Sequence, residues 1–212
     1  VQIFTHGPRN SKENNINYEK VKEYVLKNGI DLSVHSCYSS VSIWKVPYER
    51  YKYKNKKLIS DFSNSNKDKE LDSKYRGYIK LISKQLEATK KVGAWGLVLH
   101  VTKHTPETIA GVMNLLKPIA KKLNVQIILE MVSNKSDDNT YETPEKINYV
   151  NDLIGISNEW CWCVDTAHLH GAGVDICDKS KIKEWISDIK HKDLIKMFHL
   201  NGSSADIGSG KD

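Results

Sequence analysis

Apolar residues fall along this chain in two alternating patterns. Short continuous runs, most of them ending in a polar residue, are separated by longer stretches with apolar positions every three or four residues. The short runs are Val1–Thr5, Leu32–His35, Gly96–His100, Val125–Glu130, Trp162–Asp165 and Lys196–His199. Their length and unbroken hydrophobicity predict strands buried on both faces, as in parallel sheets. Five helices are predicted between and after them. Asn17–Asn28 carries Tyr18, Val21 and Val25 and stops at Gly29. Ser73–Val92 carries Tyr75, Ile79, Ile82 and Leu86 and stops at Gly93. Pro106–Leu123 opens on Thr105-Pro106-Glu107, a cap, a first-turn proline and an acid. Thr143-Pro144-Glu145 repeats that signal before Ile147, Val150 and Leu153, and Lys181–Ile189 is the last.

Strand–helix units in succession predict an α/β fold, either an open doubly wound sheet or a closed (β/α)8 barrel. The first strand–helix turn lacks a glycine-rich phosphate fingerprint, which weakens the dinucleotide-binding alternative. The placement of polar residues decides between them. Five of the six runs end in a side chain able to bind metal: His35, His100, Glu130, Asp165 and His199. His168 follows Asp165 by three residues, and Asp212 is the last residue. A (β/α)8 barrel gathers its strand ends on one face, where active sites form. A carboxylate ending an apolar strand is costly to bury unless it is paired or metal-bound. Imidazole mixed with carboxylate suits Zn²⁺, and Mn²⁺ and Fe²⁺ also fit. Seven such side chains exceed the coordination of one ion, so more than one ion is expected, an arrangement suited to phosphodiester hydrolysis.

Composition and charge sharpen this only modestly. With 39% hydrophobic and 27% charged residues, the 212-residue chain is expected to form a soluble globular domain. No apolar run approaches a membrane span, and an intracellular protein is expected. Net charge is +6, and residues 50–91 hold 13 Lys/Arg against 5 Asp/Glu, which suits a polyanionic partner. None of the four cysteines forms a CxxC pair. Cys161 and Cys163 share a strand face as packing residues, whereas a disulfide from Cys37 stays open. Trp160 and Trp162 are expected in the core. His104, His170 and His191 are expected at the surface or behind the metal ligands.

Two C-terminal segments carry a family resemblance. Asp165-Thr166-Ala167-His168 with Ala172-Gly173-Val174-Asp175 resembles the D-T-x-H…A-G-x-D signature of the endonuclease IV family of apurinic/apyrimidinic endonucleases. His199-Leu200-Asn201 and Gly208-Ser209-Gly210-Lys211-Asp212 resemble its H-L-N-D…G-S-x-x-D-R-H signature. Leu97–His100, Ile128–Glu130 and His35-Ser36-Cys37-Tyr38 resemble its other ligand-bearing segments.

The resemblance implies a xylose isomerase-like (β/α)8 barrel with three zinc ions at its mouth. His35, His100 and Glu130 would hold the first ion. Glu130, Asp165 and His199 would hold the second, and His168 and Asp212 the third. Glu130, Asp165 and His199 are accordingly expected to be catalytic. The implied activity is hydrolysis of double-stranded DNA on the 5′ side of an abasic site, leaving a 3′-hydroxyl. Arg9 and Tyr38 match residues that enter the base stack at the lesion. His6, near Arg9, is expected to reach DNA. The basic stretch Tyr48–Lys57, with Lys54, Lys56 and Lys57, is expected to be an extended loop gripping phosphates.

Relative to the family pattern, the first and last strands and two ligands are missing, and Asn201-Gly202 replaces Asn-Asp. The expectation is thus one incomplete barrel domain over residues 1–212, with about six of its eight units, acting as a monomer. Two alternatives stand beside it. One is a metal-dependent sugar isomerase or epimerase of the same superfamily. The other is a DNA-binding remnant without catalysis.

Overall fold

The computed structural model describes residues 1–9, 11–101, 104–132 and 141–210. All six runs read as strands form them: β1 (Gln2–Ile3), β2 (Ser33–His35), β5 (Gly96–Val101), β6 (Gln126–Met131), β7 (Trp160–Asp165) and β8 (Ile195–His199). The helices between them are α1 (Tyr18–Lys27), α2 (Asn66–Lys91), α3 (Pro106–Leu123), α4 (Pro144–Ile154), α5 (Thr166–Gly171) and α6 (Lys179–Ser187). A short antiparallel hairpin, β3 (Tyr51–Lys54) and β4 (Lys57–Ser60), completes the set.

The chain divides into two compact units, Val1–Leu99 with Gly111–Ile127, and His100–Ala110 with Ile128–Asp212. Strands β5 and β6 start in the first and finish in the second. Sheet order in the first unit is β1-β2-β5-β6. Gln2 pairs with Ser33, and Ser33 in turn with Gly96, all in parallel. In the second unit the order is β5-β6-β7-β8, and the parallel register sets Asp165 beside His199. Register shifts between Trp162 and Cys163.

Burial follows the apolar runs in β2, β5, β6 and β7, but β1 and β8 are partly exposed, against the expectation that every run is buried on both faces. Val34, Leu97, Val98, Leu99 and Ile127 are fully buried in the first unit, as are Ile128, Leu129, Trp160, Trp162 and Cys163 in the second. Local chemistry sets the helix ends. Asn17 caps α1 by accepting from Lys20 N, and Gly29 follows at φ 59°. Thr143 caps α4 ahead of Pro144.

Helix α2 begins seven residues before its expected start. Ser65 caps it, accepting from Asp68 N at 3.2 Å, ahead of two polar turns that carry no apolar period. The expected extended loop at Tyr48–Lys57 is instead a 3-10 turn (Tyr48–Arg50) leading into the hairpin. Asn55 and Lys56 form its two-residue turn with φ 49° and 63°, the left-handed pair that matches strand twist. Tyr53 OH donates to Leu115 O at 2.9 Å and Tyr51 OH to Asp72 at 2.8 Å. Arg76 ties Asp72 to Leu58 O and Ser60 Oγ. So pinned, the hairpin presents Lys54, Lys56 and Lys57, all exposed, at its tip.

All four cysteines are free thiols, so the Cys37 disulfide left open by the sequence does not form. Cys37 instead lies buried, its N–H donating to Gln85 Oε1 at 2.9 Å. Among the described residues, no helix is long and apolar enough to cross a membrane.

Candidate metal centre

The second unit brings five of the expected ligands together. Glu130, near the end of β6, is only 1% exposed. Three imidazoles converge on its carboxylate. His100 Nε2 lies 3.1 Å from Oε2, His199 Nδ1 2.9 Å from Oε1 and His168 Nδ1 3.6 Å from Oε1. His199 Nδ1 also stands 3.5 Å from Asp165 Oδ2. Ligand atoms of Glu130, Asp165 and His199 all lie within 4.8 Å of one another. Strand alternation explains the convergence: parallel register puts Asp165 and His199 on the same level of adjacent strands.

Asp165 has two tasks. Its Oδ1 accepts from His168 N at 3.1 Å, capping α5 and fixing the backbone that carries His168. Its Oδ2 accepts from Asn201 Nδ2 at 2.6 Å. Asn201 N in turn donates to Thr166 Oγ1 at 2.9 Å, and Thr166 Oγ1 donates to Asn201 O at 2.6 Å. His168 Nδ1 donates to Met131 O at 2.7 Å. A bond of this kind from one ring nitrogen to a carbonyl is the usual orienting device where the other nitrogen binds metal.

Burial works against ionisation of Asp165. The His199 hydrogen bond, the nearby His168 and the Asn201 amide outweigh it, and the carboxyl titrates below the ordinary range. His199 is pushed up to about 12 by its hydrogen bonds to Asp165, Cys163 and Glu130. Burial raises the Cys163 thiol. The donor set fits a zinc-like cation. Two buried carboxylates and three imidazoles, one oriented through its far nitrogen, supply the oxygen and nitrogen ligands such an ion takes.

His35 lies in the first unit at the end of β2, nearly buried, its Nδ1 2.7 Å from Ser36 O and its ring 4.9 Å from that of Phe4. Asp212 falls outside the described residues. Arg9 and Tyr38 are exposed, and the backbone brings their segments together where Tyr38 N donates to Pro8 O at 2.7 Å. His6 does not meet the expectation of reaching DNA: it is 3% exposed, beside Thr5, and burial holds its pKa down. Asn201 and Thr166 are site residues to which the sequence alone assigned no role. Their signal was the polar pair inside the two C-terminal signatures.

Similarity to known proteins runs the length of the chain. "Probable AP endonuclease" of African swine fever virus (isolate Tick/South Africa/Pretoriuskop Pr4/1996) is 27% identical over all of this chain and 64% of its own length. "Probable endonuclease 4" of Geobacillus kaustophilus (strain HTA426) is 28% identical over 99% of this chain and 65% of its own. The chain therefore spans slightly less than two thirds of these curated relatives. The crystal structure of AsfvAP:AG superposes with a TM-score of 0.77 at 26% identity, covering 100% of this chain and 63% of that one. Parallel strands followed by helices agree with the family whose model matches residues 1–212, and the chain belongs to the xylose isomerase-like TIM barrel family.

Proposed function

We propose that this chain is the metal-bearing part of a DNA repair endonuclease that hydrolyses the phosphodiester 5′ to an abasic site and leaves a 3′-hydroxyl. The observation that carries this reading is Glu130, a buried carboxylate met by His100, His168 and His199. The relatives named AP endonuclease and endonuclease 4 support it.

In this reading His35, His100, Glu130, Asp165 and His199 would hold zinc, Glu130 belonging to both candidate ligand groups, and His168 and Asp212 would hold a further ion. Such ions, when bound, would supply Lewis-acid activation of water and of the phosphoryl group. The protein's own residues do the rest. Asp165 orients His168 through the helix cap, and Asn201 holds Asp165. Arg9 and Tyr38 fill the gap in the base stack as the abasic nucleotide turns out. Lys54, Lys56 and Lys57 bind backbone phosphates of double-stranded DNA, with the protein acting as a monomer.

The test is cleavage of a duplex with one abasic site, paired with a zinc count and a panel of ketoses. Specific incision by a zinc-loaded chain supports the nuclease. Ketose turnover without incision sinks it in favour of an isomerase or epimerase, and DNA binding without zinc or cleavage favours a non-catalytic remnant.

A further inference from the structure

Helix α2 buries a face of Ile79, Ile82, Leu86 and Ala88, and among them stands Gln85, which is 0% exposed. A buried amide is costly unless its hydrogen bonds are made. Gln85 makes them on one short turn. Its Oε1 accepts from Cys37 N at 2.9 Å, and its Nε2 donates to Ser40 Oγ at 2.7 Å. The two ends of one side chain thus bracket Tyr38 and Ser39.

Tyr38 opens the 3-10 helix Tyr38–Lys45, whose cap position, Cys37, makes no side-chain cap bond. A helix start needs acceptors for its first N–H groups. Here they come from other segments. Gln85 takes the Cys37 N–H, and Pro8 O takes the Tyr38 N–H at 2.7 Å. Pro8 immediately precedes Arg9. Cys37 and Ser40 are buried, yet Tyr38 between them is 50% exposed, its ring edge-on to Phe4 at 6.4 Å and to His35 at 6.3 Å. Tyr38 is therefore an exposed ring on a buried backbone held from two sides, and the same turn anchors the segment that carries Arg9.

We propose that Gln85 is a positioning residue that presents Tyr38, and through the Pro8 bond Arg9, to the gap at an abasic site in duplex DNA. The inference rests on the nuclease reading for the task of Tyr38 and Arg9. Gln85 itself is buried and touches no DNA. A leucine would fill the same space in the core; what the amide adds is a fixed direction for the ring that the turn carries.

Gln85→Leu keeps the bulk and removes both bonds. Gln85→Glu keeps an acceptor for Cys37 N, and the Ser40 hydroxyl can donate to its second oxygen. The probe is a duplex with 2-aminopurine beside a single abasic site, mixed rapidly with the full chain. Wild type is expected to raise the fluorescence as the neighbouring base unstacks. Tyr38→Ala and Gln85→Leu are expected to lose most of that rise, and Gln85→Glu to keep it. Incision by Gln85→Leu is expected to slow roughly ten- to hundredfold, the cost of a displaced positioning group, while binding of an intact duplex keeps its affinity and salt slope. Should Gln85→Leu fail to fold, Ser40→Ala, which removes one of the two bonds, is expected to show the same loss in part. A full rise in Gln85→Leu beside a lost rise in Tyr38→Ala overturns the role of Gln85 alone, as does equal weakening of intact and abasic duplex binding. A rise retained by Tyr38→Ala overturns the placement of Tyr38 and this role with it. No rise with wild type overturns the DNA reading itself.

Discussion

His199 Nδ1 stands 2.9 Å from Glu130 Oε1, although 69 positions separate the two residues in sequence. Glu130 lies near the end of β6 and His199 ends β8. Glu130→Gln keeps the shape and removes the charge that three imidazoles face. Single-turnover cleavage of an abasic duplex is expected to fall roughly thousandfold or more, as when one member of a catalytic unit is lost. Binding of the same duplex, followed by fluorescence anisotropy, is expected to change little. Retained cleavage would show that Glu130 is not the shared ligand.

The hairpin lysines make a second prediction. Lys54, Lys56 and Lys57 are exposed at the tip of a hairpin pinned by Tyr51, Tyr53 and Arg76. Reversing all three to Glu leaves those pins intact. The slope of log affinity against log salt should drop by about 1 for each phosphate that a lysine no longer neutralises. A slope equal to that of the unaltered chain would remove the hairpin from the DNA interface.

Thiol reactivity separates surface from core. Cys177 is exposed, while Cys37, Cys161 and Cys163 are buried. Burial pushes the Cys161 thiol up to about 12, which starves it of thiolate at neutral pH. A colourimetric thiol titration should find one fast cysteine in the native chain and four after denaturation. Two or more fast thiols would contradict this packing.

Trp162 is fully buried and donates its Nε1–H to Asn151 Oδ1 at 2.8 Å. Trp162→Phe fills most of the volume but strands that oxygen. The expected cost is about 1–3 kcal/mol, a fall in melting temperature of about 2–4 °C for each kcal/mol in a chain of this size. Calorimetry measures it directly, and an unchanged melting temperature would mean that the amide finds another donor.

Much of this was legible in the sequence for a simple reason. A strand buried on both faces leaves a continuous apolar mark, and a polar residue interrupts it only near the end, so His100, Glu130 and Asp165 stood out, while His199 closes the partly exposed β8. The hairpin did not stand out, because its turn is Asn55-Lys56 rather than a glycine pair and its interleaved lysines read as an extended phosphate-gripping loop. Helix α5 was missed because its six residues are too few for a period and its capping aspartate was already read as a ligand. The start of α2 was hidden for the converse reason: its first turns are polar, and only Ser65 marks them. Asn201 was assigned no role because its partners, Thr166 and Asp165, lie 35 and 36 residues away.

Asp165 spends one oxygen on the start of a helix and turns the other toward imidazole and amide. Its length is therefore fixed by two unrelated demands. A glutamate would conserve the charge and displace the cap, and an asparagine would conserve the cap and forfeit the anion. Changing the charge of this cluster would have to begin by giving α5 a different cap, since punctuation of the backbone and chemistry of the site are written in one carboxylate.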